Sequence, residues 1–471
     1  MLIQKKKILF LDQKIIDSNT NVQFMTHPPV DREIIFYPDK PWEDRMLSIF
    51  STVLFIDGKY MLFYSTCNKE GERNTAYAES SDGINFIKPD LNVFNYKGST
   101  KNNLVGIYTH EANIIYEPDA DEEFRFKAFA SYPGGGIAVH TSPDGIHWKI
   151  SDKPIINGFG CDTQNMCLYD PNLGRYVFYL RGFDYTLGAR YGNFKRIVIR
   201  GDTEDILKEQ KIVRKEGIFN FYHETKHGLE KPSNEFEHVL CCDADDDPDT
   251  DIYNISASIY EEYYIGFPSF YKHAPGPELG GRINDGDLEV FFIGSLDGKR
   301  WNRYDRKPYI KNETTGNFSC KMAFMGVGVV PFESGLRQYG VIFRTRHGGT
   351  PERIENKDGK MVCYTQRKDG FVSAHFGPDG GQLTTCVWFF NGTKLYMNAN
   401  TNVLGYIKVA ILDIDGNPIS DFSFEKFEPF NRNLEQFELK WEGSDISILK
   451  GEYIRILIQG KCADLFSLFY Q

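Results

Sequence analysis

Hydrophobic and polar positions run along this chain as pairs of short apolar stretches joined by turn residues, and the same pair recurs five times. In the first pair Ser51-Thr52-Val53-Leu54-Phe55-Ile56 meets the turn Asp57-Gly58 and then Tyr60-Met61-Leu62-Phe63-Tyr64. β-Branched and aromatic residues flanking Asp-Gly predict a hairpin, because glycine adopts the positive φ that a two-residue turn needs. The design returns at Ala112 to Tyr116 with Phe124 to Ala130, and at Met166 to Tyr169 with Arg175 to Leu180. It returns again from Ile252-Tyr253-Asn254 through Tyr260-Glu261-Glu262 to Tyr263 to Phe267, and at Met325 to Val330 with Gln338 to Phe343.

A shorter motif punctuates these hairpins. Ser80-Ser81-Asp82-Gly83-Ile84-Asn85-Phe86, Ser142-Pro143-Asp144-Gly145-Ile146-His147-Trp148 and Ser295-Leu296-Asp297-Gly298-Lys299-Arg300-Trp301 share a serine, an Asp-Gly turn and an aromatic ring three residues after the glycine. The intervals, 144 − 82 = 62 and 297 − 144 = 153 residues, fit one unit and then two. Five inner hairpins, three of them followed by such an outer turn, predict five four-stranded blades, a five-bladed β-propeller over residues 1–370 that includes an N-terminal strand from Ile8 to Ile16. The third unit departs from the pattern: between Gly201 and Glu230 the chain is charged and partly helical in character, with Asp205-Ile206-Leu207-Lys208 where an outer turn belongs. From about Phe371 strands alternate at Gln382 to Phe389, Lys394 to Asn398, Tyr406 to Asp413, Phe437 to Trp441 and Tyr453 to Gln459, predicting an antiparallel β-sandwich over 371–471. The expected class is all-β.

Composition narrows the possible functions. Aromatic residues make up 15% of the chain, which suits sheets and supplies stacking platforms for sugars. A formal net charge of −11 argues against sequence-independent nucleic-acid binding, and no polybasic patch or long apolar run points to a membrane. Nine scattered cysteines without CxxC spacing argue against a disulfide framework or structural zinc, and no metal or cofactor is expected. The first residues lack the apolar core of a signal peptide, so a cytoplasmic location is expected, or a secreted or periplasmic one if a signal was removed. The acidic run Asp243 to Asp251 lacks the alternation and turn glycine of an EF-hand loop and reads as a solvated loop. Oligomeric state is not legible.

Candidate chemistry follows from where acids fall. Trp42-Glu43-Asp44-Arg45, His110-Glu111-Ala112-Asn113, Cys161-Asp162-Thr163-Gln164-Asn165 and Asp249-Thr250-Asp251 each stand at the head of a successive inner strand. In a propeller those heads converge on one axial funnel. Glycoside hydrolysis needs an acid to protonate the leaving oxygen and a carboxylate as base or nucleophile. Glu43, Asp44, Glu111 and Asp162 are therefore the catalytic candidates. Trp42 could stack on a sugar face, His110 and Asp251 could line the funnel, and Arg181, Arg344, Arg346 and His347 could grip a uronate, sulfate or phosphate. For each of them core packing or an ion pair is the plain alternative.

The chain resembles the five-bladed β-propeller glycoside hydrolases, the group of invertases, fructosidases, arabinanases and mannoside phosphorylases. More narrowly it resembles a family-32-like branch of the family 32/43-like superfamily with a C-terminal β-sandwich. The resemblance lies in Leu9-Phe10-Leu11-Asp12, Lys40-Pro41-Trp42-Glu43, Tyr77-Ala78-Glu79-Ser80-Ser81-Asp82-Gly83, Asp369-Gly370-Phe371-Val372-Ser373 and Gly380-Gly381-Gln382-Leu383-Thr384-Thr385. It implies a base or nucleophile at Asp44 or Glu43, a pKa-tuning or substrate-binding acid at Glu111 and a general acid at Asp162. The Asn-Asp-Pro-Asn and Arg-Asp-Pro signatures of invertases are absent, and Asp162 stands where the group carries Glu-Cys. The expected function is a glycosidase acting on a small oligosaccharide, with a glycoside phosphorylase or a non-catalytic glycan-binding propeller as alternatives.

Overall fold

The computed structural model describes residues 2–109, 111–133, 135–156, 162–184, 195–210, 218–219, 236–275, 282–348 and 357–471. The chain is all-β, with 55% of residues in strands and 4% in helices. Among the described residues no helix is long and apolar enough to cross a membrane.

All five hairpins form, each carrying a third strand. The first unit is Met46–Ile56, Lys59–Cys67 and Arg73–Ser80, and the second Ala112–Tyr116, Phe126–Ser131 and Ile137–Ser142. Met166–Asp170, Arg175–Asp184, Lys195–Thr203 and Glu237–Leu240 make the third. Thr250–Tyr260, Tyr263–Pro275 and Arg282–Phe291 make the fourth. In the fifth, Met322–Met325, Gly335–Phe343 and Lys360–Gln366 are completed by Asp31–Phe36, far away in sequence. The inner strand of this unit lies earlier than the apolar pattern predicts, and Val330–Phe332 forms a separate short strand.

Hydrogen bonds join each inner strand to the next. Ile114 N donates to Thr52 Oγ1 at 3.2 Å, and Cys167 N to Asn113 Oδ1 at 2.8 Å. Ala257 N lies 2.9 Å from Met166 Sδ, and Ser256 Oγ donates to Gly326 O at 2.6 Å. Val327 N donates to Ser51 O at 2.8 Å, which returns the series to the first unit.

The Ser-Asp-Gly turns share one geometry. Ser80, Ser142 and Ser295 each accept at Oγ from the N–H groups of the following aspartate and glycine. Each aspartate then accepts from the two N–H groups after the glycine. Every glycine sits at positive φ and rests on the second strand of the preceding unit. A Cβ on Gly83 would lie 2.8 Å from Tyr339 Oη, one on Gly145 3.1 Å from Phe63, and one on Gly298 2.4 Å from Tyr179 Oη. Registers put these turns at the opposite end of the sheets from Arg45, Glu111, Asp162 and Asp251, since Ser80 pairs with Tyr60, Ser142 with Phe126 and Ser295 with Tyr264.

Two expectations on the chain's beginning change. Residues 8–16 are not one strand: Lys7–Leu9 ends before Asp12, whose carboxylate accepts from Lys14 N at 2.9 Å and starts a 3-10 turn at Gln13–Ile15. The division at 370/371 is crossed by strand pairing. Leu2–Ile3 pairs with Val387–Phe390, Lys7–Leu9 with Glu452–Tyr470, Ile16–Thr20 with Gly381–Thr385 and Val22–Thr26 with Val372–Phe376. The start of the chain thus completes a ten-stranded arrangement built on Leu395–Leu412 and Glu452–Tyr470. Its core is continuous with Tyr263, Phe267, Phe292 and Tyr309 of the fourth unit. The acidic run is engaged by cations: Asp243 and Asp246 meet Arg303 and Arg306, and Asp247 meets Lys272. Of the helical stretch expected near 201–230, most lies outside the described residues.

Candidate functional site

At the head end of the inner strands the second and third units bring two carboxyl groups together. Glu111 stands one residue before the Ala112–Tyr116 strand and is only 2% exposed, its backbone N–H held by Thr109 Oγ1 at 3.2 Å. Burial pushes its carboxyl well above the ordinary carboxylate range, and the charge of Asp162 pushes it the same way; Ser131, Arg181 and Arg73 oppose the shift more weakly. Its surroundings thus favour the protonated form more than water does. Asp162 differs, with 60% of its side chain exposed.

Arg181 holds Asp162 in place. Its backbone N–H donates to Asn165 Oδ1 at 2.9 Å, which locks the Arg175–Asp184 strand against the head of the inner strand. Its Nη1 then donates to Asp162 Oδ1 at 3.2 Å and to Asp162 O at 3.3 Å. Nε and Nη2 donate to Tyr253 O at 3.2 and 2.8 Å, and the guanidinium lies 4.4 Å from the Tyr253 ring centre. That carbonyl is available because the pairing of Thr250–Tyr260 with its neighbour skips Tyr253, moving from Ile252–Phe270 to Asn254–Ser269. A bulge of this kind re-aims one side chain out of the ladder. Tyr253 Oη meets His347 Nε2 at 3.2 Å, and His347 Nδ1 is 3.3 Å from Asn284 O. Asp162, Arg181, Tyr253 and His347 form one connected chain, and Glu111 acts on it through the charges of Asp162 and Arg181.

The remaining candidates lie elsewhere. Glu43 is fully buried, taking hydrogen bonds from Tyr64 Oη at 2.7 Å, Lys88 Nζ at 2.9 Å and the N–H groups of Asp39 and Lys40. These partners hold it against the middle and outer strands of the first unit, and they give the carboxylate a structural job. Asp44 stays partly exposed and accepts from Lys69 N at 2.8 Å in a turn at the head end. Trp42 is a core residue, its Nε1 donating to Asn103 Oδ1 at 2.9 Å and its ring edge against Tyr96. Asp251 is fully buried between Arg196 Nη1 and His273 Nε2, both at 2.9 Å. Arg344 is exposed at the rim; Arg346 pairs with Asp287 at 3.2 Å. His110 lies outside the described residues. Tyr253 was hidden from sequence reasoning because nothing in Ile252-Tyr253-Asn254 marks a bulge, and Arg45 and Arg73 because strand-end cations are common.

No protein-family model matches the chain, and no curated protein matches it. Solved structures resemble it at low identity. A thermostable family-43 glycoside hydrolase is 12% identical over 69% of this chain and 91% of that one, with a TM-score of 0.44. The catalytic domain of a Coprinopsis cinerea GH62 alpha-L-arabinofuranosidase is 15% identical over 74% and 97%, with a TM-score of 0.42. An N-acetylgalactosamine deacetylase from F. plautii, in complex with blood group B trisaccharide, is 13% identical over 69% and 87%, with a TM-score of 0.40. Likeness this distant carries no conclusion about chemistry, and the last of the three is not a hydrolase of glycosidic bonds by its name.

Proposed function

We propose that the five units are the blades of a β-propeller and that the chain is a glycoside hydrolase acting on a small oligosaccharide or glycoside at the head end of its inner strands. The observation that carries this reading is the unequal pair Glu111 and Asp162: one carboxyl buried and biased toward its protonated form, the other open and held by Arg181. Acid-assisted glycoside cleavage requires two carboxyl groups in different environments, one suited to hold a proton and one open to the reacting centre. The circuit of hydrogen bonds from Thr52 to Gly326 and back to Ser51 supports the propeller reading.

On this reading Glu111 is the general acid. It gives its proton to the glycosidic oxygen as the bond to the anomeric carbon breaks. Asp162, facing the open side, is the base or nucleophile, and Arg181 is its positioning residue. These roles differ from those the family resemblance implies, which are a pKa-tuning or substrate-binding acid at Glu111 and the general acid at Asp162. The reason is physical: a group that must hold a proton before the reaction belongs where charge is disfavoured. His347 meets Tyr253 Oη and so joins the same cluster.

The amide substitutions Glu111→Gln and Asp162→Asn, assayed on a panel of aryl and disaccharide glycosides, test the reading. Each is expected to lower turnover roughly 10²- to 10⁴-fold with folding intact. Unchanged hydrolysis in both would sink it.

A further inference from the structure

Resting on the glycosidase reading, we infer that the substrate is an acidic glycan, whose carboxylate or sulfate groups are bound by an arc of cations, Arg45, Arg73 and Arg344, on the first and fifth units beside Glu111. Arg45 N donates to Cys67 O, and Cys67 pairs with Arg73, so both arginines stand at the head end of one sheet. Met46, next to Arg45, bridges to Asp358 of the fifth unit. The carboxylate of Asp358 in turn accepts from Arg344 N at 3.1 Å. Arg344 and Arg45 are thereby neighbours across the seam between the two units. Arg73 is near enough to Glu111 to act on its carboxyl electrostatically, which ties the arc to the proposed acid.

What marks the arc is its missing counter-charge. In a chain with 65 acidic and 54 basic residues, no acidic side chain lies within ion-pair distance of Arg45, Arg73 or Arg344 among the described residues. The Nε of Arg45 is enclosed with no acceptor. An enclosed donor without a partner and like charges on adjoining strands both carry a free-energy cost that a bound oxyanion would relieve. Asp358, which lies in the seam, does not relieve it. Asp358 is buried and turned toward the N–H groups of Arg344, Thr345 and Gly359 and the hydroxyl of Thr345, at 2.8–3.1 Å. Other cations at this end are already committed: Arg181 to Asp162 and Tyr253, Arg196 to Asp251, and Arg346 to Asp287. Lys360, following Asp358, has its ammonium pKa lowered by burial and then by Arg344, and it donates to Asn317 O.

Calorimetry on the full chain decides the matter, with four probes: an oligogalacturonate, a sulfated oligosaccharide, a neutral oligosaccharide of equal length and inorganic phosphate. At least one acidic oligosaccharide is expected to bind tenfold or more tightly than the neutral one and to weaken as salt rises. Arg45→Gln, Arg73→Gln and Arg344→Gln should each reduce that preference about tenfold or more, Arg45→Lys should retain most of it, and thermal melts should show every variant folded. The uronate and sulfate arms identify which oxyanion is recognised. Equal binding of neutral and acidic sugars overturns the inference, as does binding of phosphate alone or a preference untouched by all three glutamine variants. The enzymatic reading fails separately. Acidic sugars bound through the arc but never cleaved would remove the hydrolase and leave the arc, whereas indiscriminate cleavage of neutral glycosides would do the reverse.

Discussion

His140 shows how a single buried side chain couples this fold to pH. Its Nδ1 accepts from Ser151 N at 3.0 Å, and burial lowers its pKa to about 4. A folded-state value below the ordinary histidine value means that the unfolded chain takes up the proton first. The stabilisation is therefore complete above about pH 6.5 and disappears as pH falls toward 4. In urea unfolding, the stability of the native protein relative to His140→Gln should fall by roughly 2–3 kcal/mol between pH 7.5 and pH 4.5. A difference that does not change with pH would mean that the ring is not held neutral. Glu111 has the opposite sign: its raised pKa makes the fold lose stability as pH rises above the ordinary glutamate range. Such a cost at neutral pH is typical of groups kept for chemistry rather than for folding.

Among the elements, the Ser-Asp-Gly turns fix how one unit meets the next. Gly298 has φ +66°, and an added Cβ would lie 2.4 Å from Tyr179 Oη, the hydroxyl that donates to Gly298 O. Gly58, in the first hairpin turn, has φ +76° with nothing within 4 Å. Gly298→Ala is expected to destabilise by about 2–4 kcal/mol and Gly58→Ala by about 1 kcal/mol, because only the first adds a clash to the backbone strain. Equal losses in denaturant titrations would contradict the docking role. The sequence made these turns legible because serine, aspartate, glycine and the ring act within seven residues. Asp57-Gly58 was legible for the same reason, whereas Glu261 and Glu262, at φ +49° and +66°, turn the fourth hairpin with no turn composition and were found only from the strands beside them. What stayed hidden depends on distant partners. Asp31–Phe36 closes a unit whose other strands begin at Met322, and Leu2–Ile3 pairs with residues near 387. Periodicity cannot reveal such register. The heads of the strands showed Glu111 and Asp162, but not that the short 3-10 turn Pro41–Glu43 directs Glu43 inward toward Lys88.

In the molecule as a whole, the two ends of the sheets do different work. One end carries the three turns that dock unit on unit, while the other gathers Glu111, Asp162, Arg181, Tyr253 and His347, and close by Arg45, Arg73 and Arg344, which have no acidic partner within ion-pair distance among the described residues. The strands from residues 2–26 tie the start of the chain into the C-terminal sheet, whose core continues into the fourth unit. The scaffold behind the site is thus braced by both termini, and the chemistry is assigned to two carboxyl groups from adjacent units. The central claim is that Glu111 is the general acid and Asp162 the base or nucleophile. It is tested by the dependence of turnover on the leaving group, measured for both amide variants on a glycoside series from dinitrophenyl to an unactivated alcohol. An activated leaving group needs little protonation. Glu111→Gln should therefore regain most of its activity on the dinitrophenyl substrate, and Asp162→Asn should remain impaired on every member of the series. Recovery by Asp162→Asn instead would contradict the assignment and return the acid's role to Asp162.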